Sequence, residues 1–144
     1  MRMIALAALA CVPTAAAAWD FTPGLPCRLV HQTADAKIGL TYDPVLPVYT
    51  VTVTRSAPWP NAGYFGMRFD GPQGRRIGTD RHRLSANGRA LSVADVGFGN
   101  VLDGLQYNRS VTATSGGAAV TFSLDGAAGP VAEFRACAAG APSS

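Results

Sequence analysis

Val120-Thr-Phe-Ser-Leu-Asp-Gly-Ala-Ala-Gly-Pro-Val-Ala-Glu-Phe-Arg-Ala-Cys137 reads as a strand, a glycine turn and a short helix. Val120, Phe122 and Leu124 alternate along the strand and form a buried stripe. Pro130 suits a first helical position, where its missing N–H has no intrahelical partner to lose. Val131, Phe134 and Cys137 recur at three-residue steps, so the cysteine falls on the apolar side of that helix. Cys27 is the one other cysteine outside the leader described below. In an exported domain the two read as one disulfide. Closing a loop of about 110 residues is worth roughly 4–5 kcal/mol in the chain-entropy picture. Two free thiols are the alternative.

The leader is MRMIALAALACVPTAAAA. Arg2, an apolar run from Met3 to Val12, the break at Pro13 and the small residues ending at Ala18 follow the order of a secretory signal. Ala16-Ala17-Ala18 supplies the cleavage site before Trp19, so residues 1–18 are expected to be a cleaved signal peptide, residues 19–138 one domain and residues 139–144 a flexible tail. The apolar run is about half the length a bilayer span needs, so no transmembrane segment is expected. Lipidation at Cys11, after Ala8-Leu9-Ala10, is the minor alternative, and it would anchor the chain. Without Arg2, eleven basic side chains stand against nine acidic ones, and all the basic ones but Lys37 are arginine. So small an excess does not point to nucleic acid or to a membrane surface.

Between the cysteines the pattern is that of an all-β chain. Cys27–Gln32 places Leu29 and His31 on one face, and Lys37–Tyr42 alternates through Ile38, Leu40 and Tyr42. Val48–Arg55 is the clearest strand, with Tyr49, Val51 and Val53 inward and Thr50, Thr52 and Thr54 on a solvated face. Ala57-Pro-Trp-Pro-Asn61 is a loop, Tyr64–Phe69 resumes the alternation, and Arg76–Thr79 is a short edge strand. Asn87-Gly88 predicts a two-residue hairpin between His82–Ala86 and Arg89–Ala94, and Ser115–Ala118 a second between Ser110–Thr114 and Ala119–Leu124. Trp19–Pro26 reads as an irregular lead-in, and Gly97–Tyr107 as at most one turn of helix because Gly104 weakens it. The fold class is therefore an antiparallel β-sandwich, or a partly open barrel, with a short C-terminal helix tied by the Cys27–Cys137 bridge.

No motif for catalysis emerges. Nucleophilic chemistry needs a base beside Ser, Cys or Thr, and only His31 and His82 are histidines. His31 lies in a strand beside Leu29 and reads as a packed residue. There is no G-x-S-x-G elbow, no metal-ligand spacing and no phosphate loop, so no cofactor is expected. Two features stand out as contact candidates. Arg75, Arg76, Arg81, His82 and Arg83 fall within the ten residues Gly74–Arg83, where guanidinium forks suit an anionic partner. The same run also reads as a charged edge that deters sheet-to-sheet pairing. Trp59, held between prolines, is either a rigid contact residue or a lid folded back over the sandwich end.

Phe122-Ser-Leu-Asp-Gly126 followed by Val131-Ala-Glu-Phe134 resembles the close of the invasion-associated locus B family, bacterial periplasmic β-sandwich proteins. The chain from Trp19-Asp-Phe-Thr-Pro-Gly-Leu-Pro-Cys27 to Phe134-Arg-Ala-Cys137 is similar to small exported proteins of alphaproteobacteria. The resemblance implies a periplasmic or secreted protein and carries no catalytic residue over. The function expected is a non-enzymatic binding or envelope-associated module, with an envelope component or exported protein as partner. An inhibitor or accessory subunit of an exported hydrolase, working through the Trp59 loop, is the first alternative, and a small hydrolase the second.

Overall fold

The computed structural model describes residues 18–140 of the chain. Residues 1–17, with Cys11 and nearly all of the leader, and residues 141–144 of the tail lie outside the described residues. The chain runs β1 (Asp20–Thr22), β2 (Cys27–Gln32), β3 (Ala36–Asp43), β4 (Val48–Arg55), β5 (Phe65–Asp70), β6 (Arg75–Thr79), β7 (Arg83–Leu84) and β8 (Ala90–Asp95). Helix α1 (Gly99–Gln106), β9 (Ser110–Ser115), β10 (Ala118–Ser123) and helix α2 (Ala128–Ala138) complete it. Two antiparallel sheets form, one ordered β1-β2-β3-β4-β8-β7 and the other β10-β9-β5-β6. This is an open two-sheet sandwich, and the barrel alternative is set aside.

Period-two alternation explains the layers. Leu29, Ile38, Leu40, Val51, Val53 and Leu91 of one sheet face Phe65, Met67, Phe69, Val111, Ala113 and Phe122 of the other, and each is at most 3% exposed. The β9–β10 hairpin turns on Gly116 and Gly117, both with positive φ (58° and 85°), where residues with a side chain are strained.

Cys27 and Cys137 are bonded, with their Cα atoms 6.2 Å apart, and the bridge pins α2 to the start of β2. Phe134 of α2 meets Tyr49, which stacks on Phe98 at 5.4 Å and lies 4.4 Å from Tyr42. Burial in this cluster, and then the neighbouring Tyr42, push the Tyr49 hydroxyl above its usual value, while Arg135 pulls it down.

Four sequence expectations need correcting. The lead-in carries a strand: β1 pairs with β2 from Asp20↔Val30 to Thr22↔Arg28, and Trp19 before it is buried. Three residues closed by Pro23 and Gly24 are too short to show a period.

Helix α1 has eight residues rather than one turn. Gly104 is there because of packing: a Cβ on it would lie 2.6 Å from the Phe69 ring. Asn108 then ties off the helix end, donating from Nδ2 to the Gly104 carbonyl at 3.0 Å.

Helix α2 begins at Ala128, two residues ahead of Pro130. The Asn87-Gly88 turn is longer than two residues, because Ser85 N–H donates to the Ala90 carbonyl at 2.8 Å and encloses residues 86–89. Ser85 Oγ donates to Asn87 Oδ1 and Trp59 N–H donates to the Gly88 carbonyl, each at 2.8 Å, and these bonds hold the wider loop.

Candidate functional site

The two long sides of the sandwich are finished differently. Where β1 and β2 face β10, Trp19 Nε1 donates to the Ser123 carbonyl at 2.9 Å. His31 stacks on Trp19 at 4.7 Å and meets the edge of Phe122 at 6.0 Å. That side is sealed. On the other side β6 is the last strand of its sheet, and β8 is covered only at Leu91 and Ser92 by the two-residue β7. Between these edges lies a cleft of about 600 Å³.

Its floor comes from both sheets: Val51 and Val93 from one, Phe65, Met67 and Ile77 from the other. Phe98 and Val101, at and just inside the start of α1, close the inner end. Thr79, Arg81, Asp95 and Asn100 stand at its rim. An apolar floor with a few polar groups at the mouth, in this size range, is the usual form of a ligand seat.

Arg75 holds the α1 end of the rim in place. Its Nη1 donates to Asn100 Oδ1 at 3.3 Å and lies 3.9 Å from Asp103 Oδ2. Asp103 also accepts from Arg135 of α2, which donates in addition to Gln106 Oε1. The Arg135 hydrogen bond holds the Asp103 carboxyl below its usual value, against partial burial, and the charges of Arg135 and Arg75 add to it.

The arginine-rich run is divided by the strand alternation. Arg75 turns inward toward α1, whereas Arg76, Arg81 and Arg83 are exposed and pair with no carboxylate among the described residues. His82 is half-buried, and its Nε2–H donates to the Ala62 carbonyl at 2.8 Å. Of the five contact candidates in the run, Arg81 lines the cleft, and it has no carboxylate partner among the described residues.

Trp59 is folded back, 3% exposed, which is the lid arrangement. Its Nε1 donates to the Val53 carbonyl at 3.1 Å, Phe65 meets it edge-on at 6.5 Å, and the Arg55 guanidinium covers it 4.9 Å from the ring centre. With that ring in the core, the 57–61 loop has no tryptophan to offer a partner. Among the described residues no three of His, Cys, Asp and Glu gather as a metal-ligand set, and neither histidine is hydrogen-bonded to a hydroxyl or a carboxylate.

At the α1 end, the register row Cys27–Tyr42–Tyr49–Asp95 places three loop tips side by side. Leu25, Val45, Leu46 and Val96 on these tips are each at least 70% exposed.

Reading the chain alone missed the cleft, although most of its floor was read as inward-facing. Strand length gave no signal for it, since β6 has five residues and β5 six; the sheets differ in strand number, six against four. No family model, curated protein or solved structure matches the chain.

Proposed function

We propose that this protein is an exported, non-catalytic binding module whose partner site is the cleft between β6 and β8. The carrying observation is the cleft itself: the half-buried Ile77 and Val93 stand over the core residues Val51, Phe65 and Met67 between two strand edges, whereas the opposite edges are joined by Trp19, His31 and Phe122. The signal-like order of Arg2, the Met3–Val12 run and Ala16–Ala18 supports export to the periplasm or beyond. The likeness of the Phe122–Phe134 stretch to periplasmic sandwich proteins supports the same compartment. A partner there is an envelope component or another exported protein. The hydrolase alternative has less support, since His31 is packed between aromatic rings and His82 is spent on a backbone carbonyl.

The test is a resonance-by-resonance titration of the protein with decanoate, a simple apolar probe. Shifts clustering at Ile77, Val93 and Phe98, and lost in Val93→Trp, are expected. Shifts scattered over the surface, or unchanged by Val93→Trp, reject the cleft as the seat. Intact mass of the exported protein checks the other half, with a mature chain starting at Trp19 expected.

A further inference from the structure

We propose that the cleft takes an extended segment of a partner protein, which adds as a strand alongside β6 and sends alternate apolar side chains between the sheets. The proposal rests on reading the cleft as the partner site and names the kind of partner.

The backbone at the cleft's lips carries the argument. Leu124 N–H donates to the Arg109 carbonyl at 2.9 Å, which sets the alternation of bonded pairs through β9 and β5. Followed into β6, that alternation spends the backbone groups of Arg75, Ile77 and Thr79 on β5 and turns those of Arg76 and Gly78 outward. On the facing lip, Ser85 N–H donates to the Ala90 carbonyl at 2.8 Å, so Ser92 also turns toward β7. β7 ends there, and Ala94 in the same phase turns its N–H and carbonyl outward unpaired. Both lips therefore present strand-pairing groups beside an apolar floor.

An alkyl chain fills the floor but leaves those backbone groups with water alone. An extended peptide satisfies both at once, through main-chain hydrogen bonds and alternating side chains. The five residues of β6 span about 16 Å, room for a segment of similar length.

Charge selects among peptides. Arg81 and Arg83, beyond the Thr79 end of β6, are exposed and free of carboxylates among the described residues, while Asp95 sits at the opposite, α1 end of the cleft. The partner segment thus carries alternating apolar residues with Asp or Glu at the end that reaches Arg81. A second copy of this chain is a poor occupant, because β6 carries Ile77 as its one large apolar side chain and no acidic residue, so it lacks both the alternation and the charge asked of the partner.

Selection of a displayed random-peptide library on the immobilised full mature chain tests this. Enriched sequences are expected to alternate apolar residues and to bear an acidic residue at one end. The synthetic peptide is expected to slow hydrogen exchange at Arg76 and Gly78. Arg76→Pro removes one outward N–H at an edge position where proline is tolerated, and it is expected to weaken binding by roughly tenfold. Arg76→Gln, which keeps the N–H, is expected to weaken it only about twofold. If Arg76→Pro does not fold, a peptide N-methylated at its pairing amides makes the same comparison on the native protein.

No enrichment of alternating sequences, or an affinity unchanged by the proline or by N-methylation, overturns strand addition. If decanoate still shifts the cleft resonances in that case, the cleft remains a seat and only the strand partner is wrong. If decanoate does not bind there either, both readings fail.

Discussion

On one side of the sandwich the edges are locked together by Trp19, His31 and Phe122, with the Cys27–Cys137 bridge beyond; on the other, β6 and β8 stand apart over a cleft. Both sides are made of short alternating strands around one shared core. The difference is sheet width: six strands face four, and the bridged side has been brought into line, so the mismatch collects at β6 and β8. Stability and binding are thereby separated. Changes on the sealed side are expected to lower folding stability, and changes on the open side to alter occupancy with the fold intact.

The largest effect is expected from the bridge. Replacing Cys27 and Cys137 together by alanine frees a chain separation of 110 residues and removes about 4–5 kcal/mol, read from urea unfolding of the oxidised parent and the variant. A midpoint unchanged by the substitution denies the bridge its role in holding the sealed side. Phe122→Ala comes next, at about 3–5 kcal/mol, since Phe122 is fully buried and its removal opens a void beneath His31. Ile77→Ala, on the cleft wall, is expected to cost only about 1 kcal/mol, because Ile77 is half-buried and the space it leaves joins an open cleft. A loss as large as that of Phe122→Ala collapses the contrast between the two sides.

Apart from β1 and the seat of Trp19, the sealed side was legible in the chain because its signals are local or covalent. Val120–Cys137 announced a strand and a helix with a cysteine on its apolar side, and Cys27 was the one partner left. β2, β4 and β9–β10 followed from alternation and turn glycines. What stayed hidden depends on distant residues. Gly104 argues against a helix until Phe69, 35 positions earlier, is found pressed against it. Trp59 had two readings, and its bonds to Val53 and Gly88 belong to two other elements. The cleft is a relation between β6 and β8, strands of different sheets, so no single stretch records it.

The smallest effect lies where the two sides meet. Asp103 on α1 receives Arg135 from α2, on the bridged helix, and faces Arg75 from the cleft lip. Its carboxyl is held below 3.8, first by the Arg135 hydrogen bond, with burial opposing and the charges of Arg135 and Arg75 adding. A depressed carboxyl stabilises the fold at pH values above the unfolded value, and that contribution fades as pH falls through the folded one. Asp103→Asn is therefore expected to destabilise near neutral pH and to match the parent only once the pH has fallen through the lowered value of the folded carboxyl. The gap at neutral pH is expected to stay below about 1 kcal/mol, because 39% of the side chain is exposed and solvent screens the pair. Parallel unfolding curves across pH give the difference directly, and a gap that persists in acid assigns the loss to packing instead of charge. If Asn also loosens Arg75 from the rim, decanoate affinity changes while the sealed side keeps its stability, and the link between bridge and cleft runs through this one carboxylate.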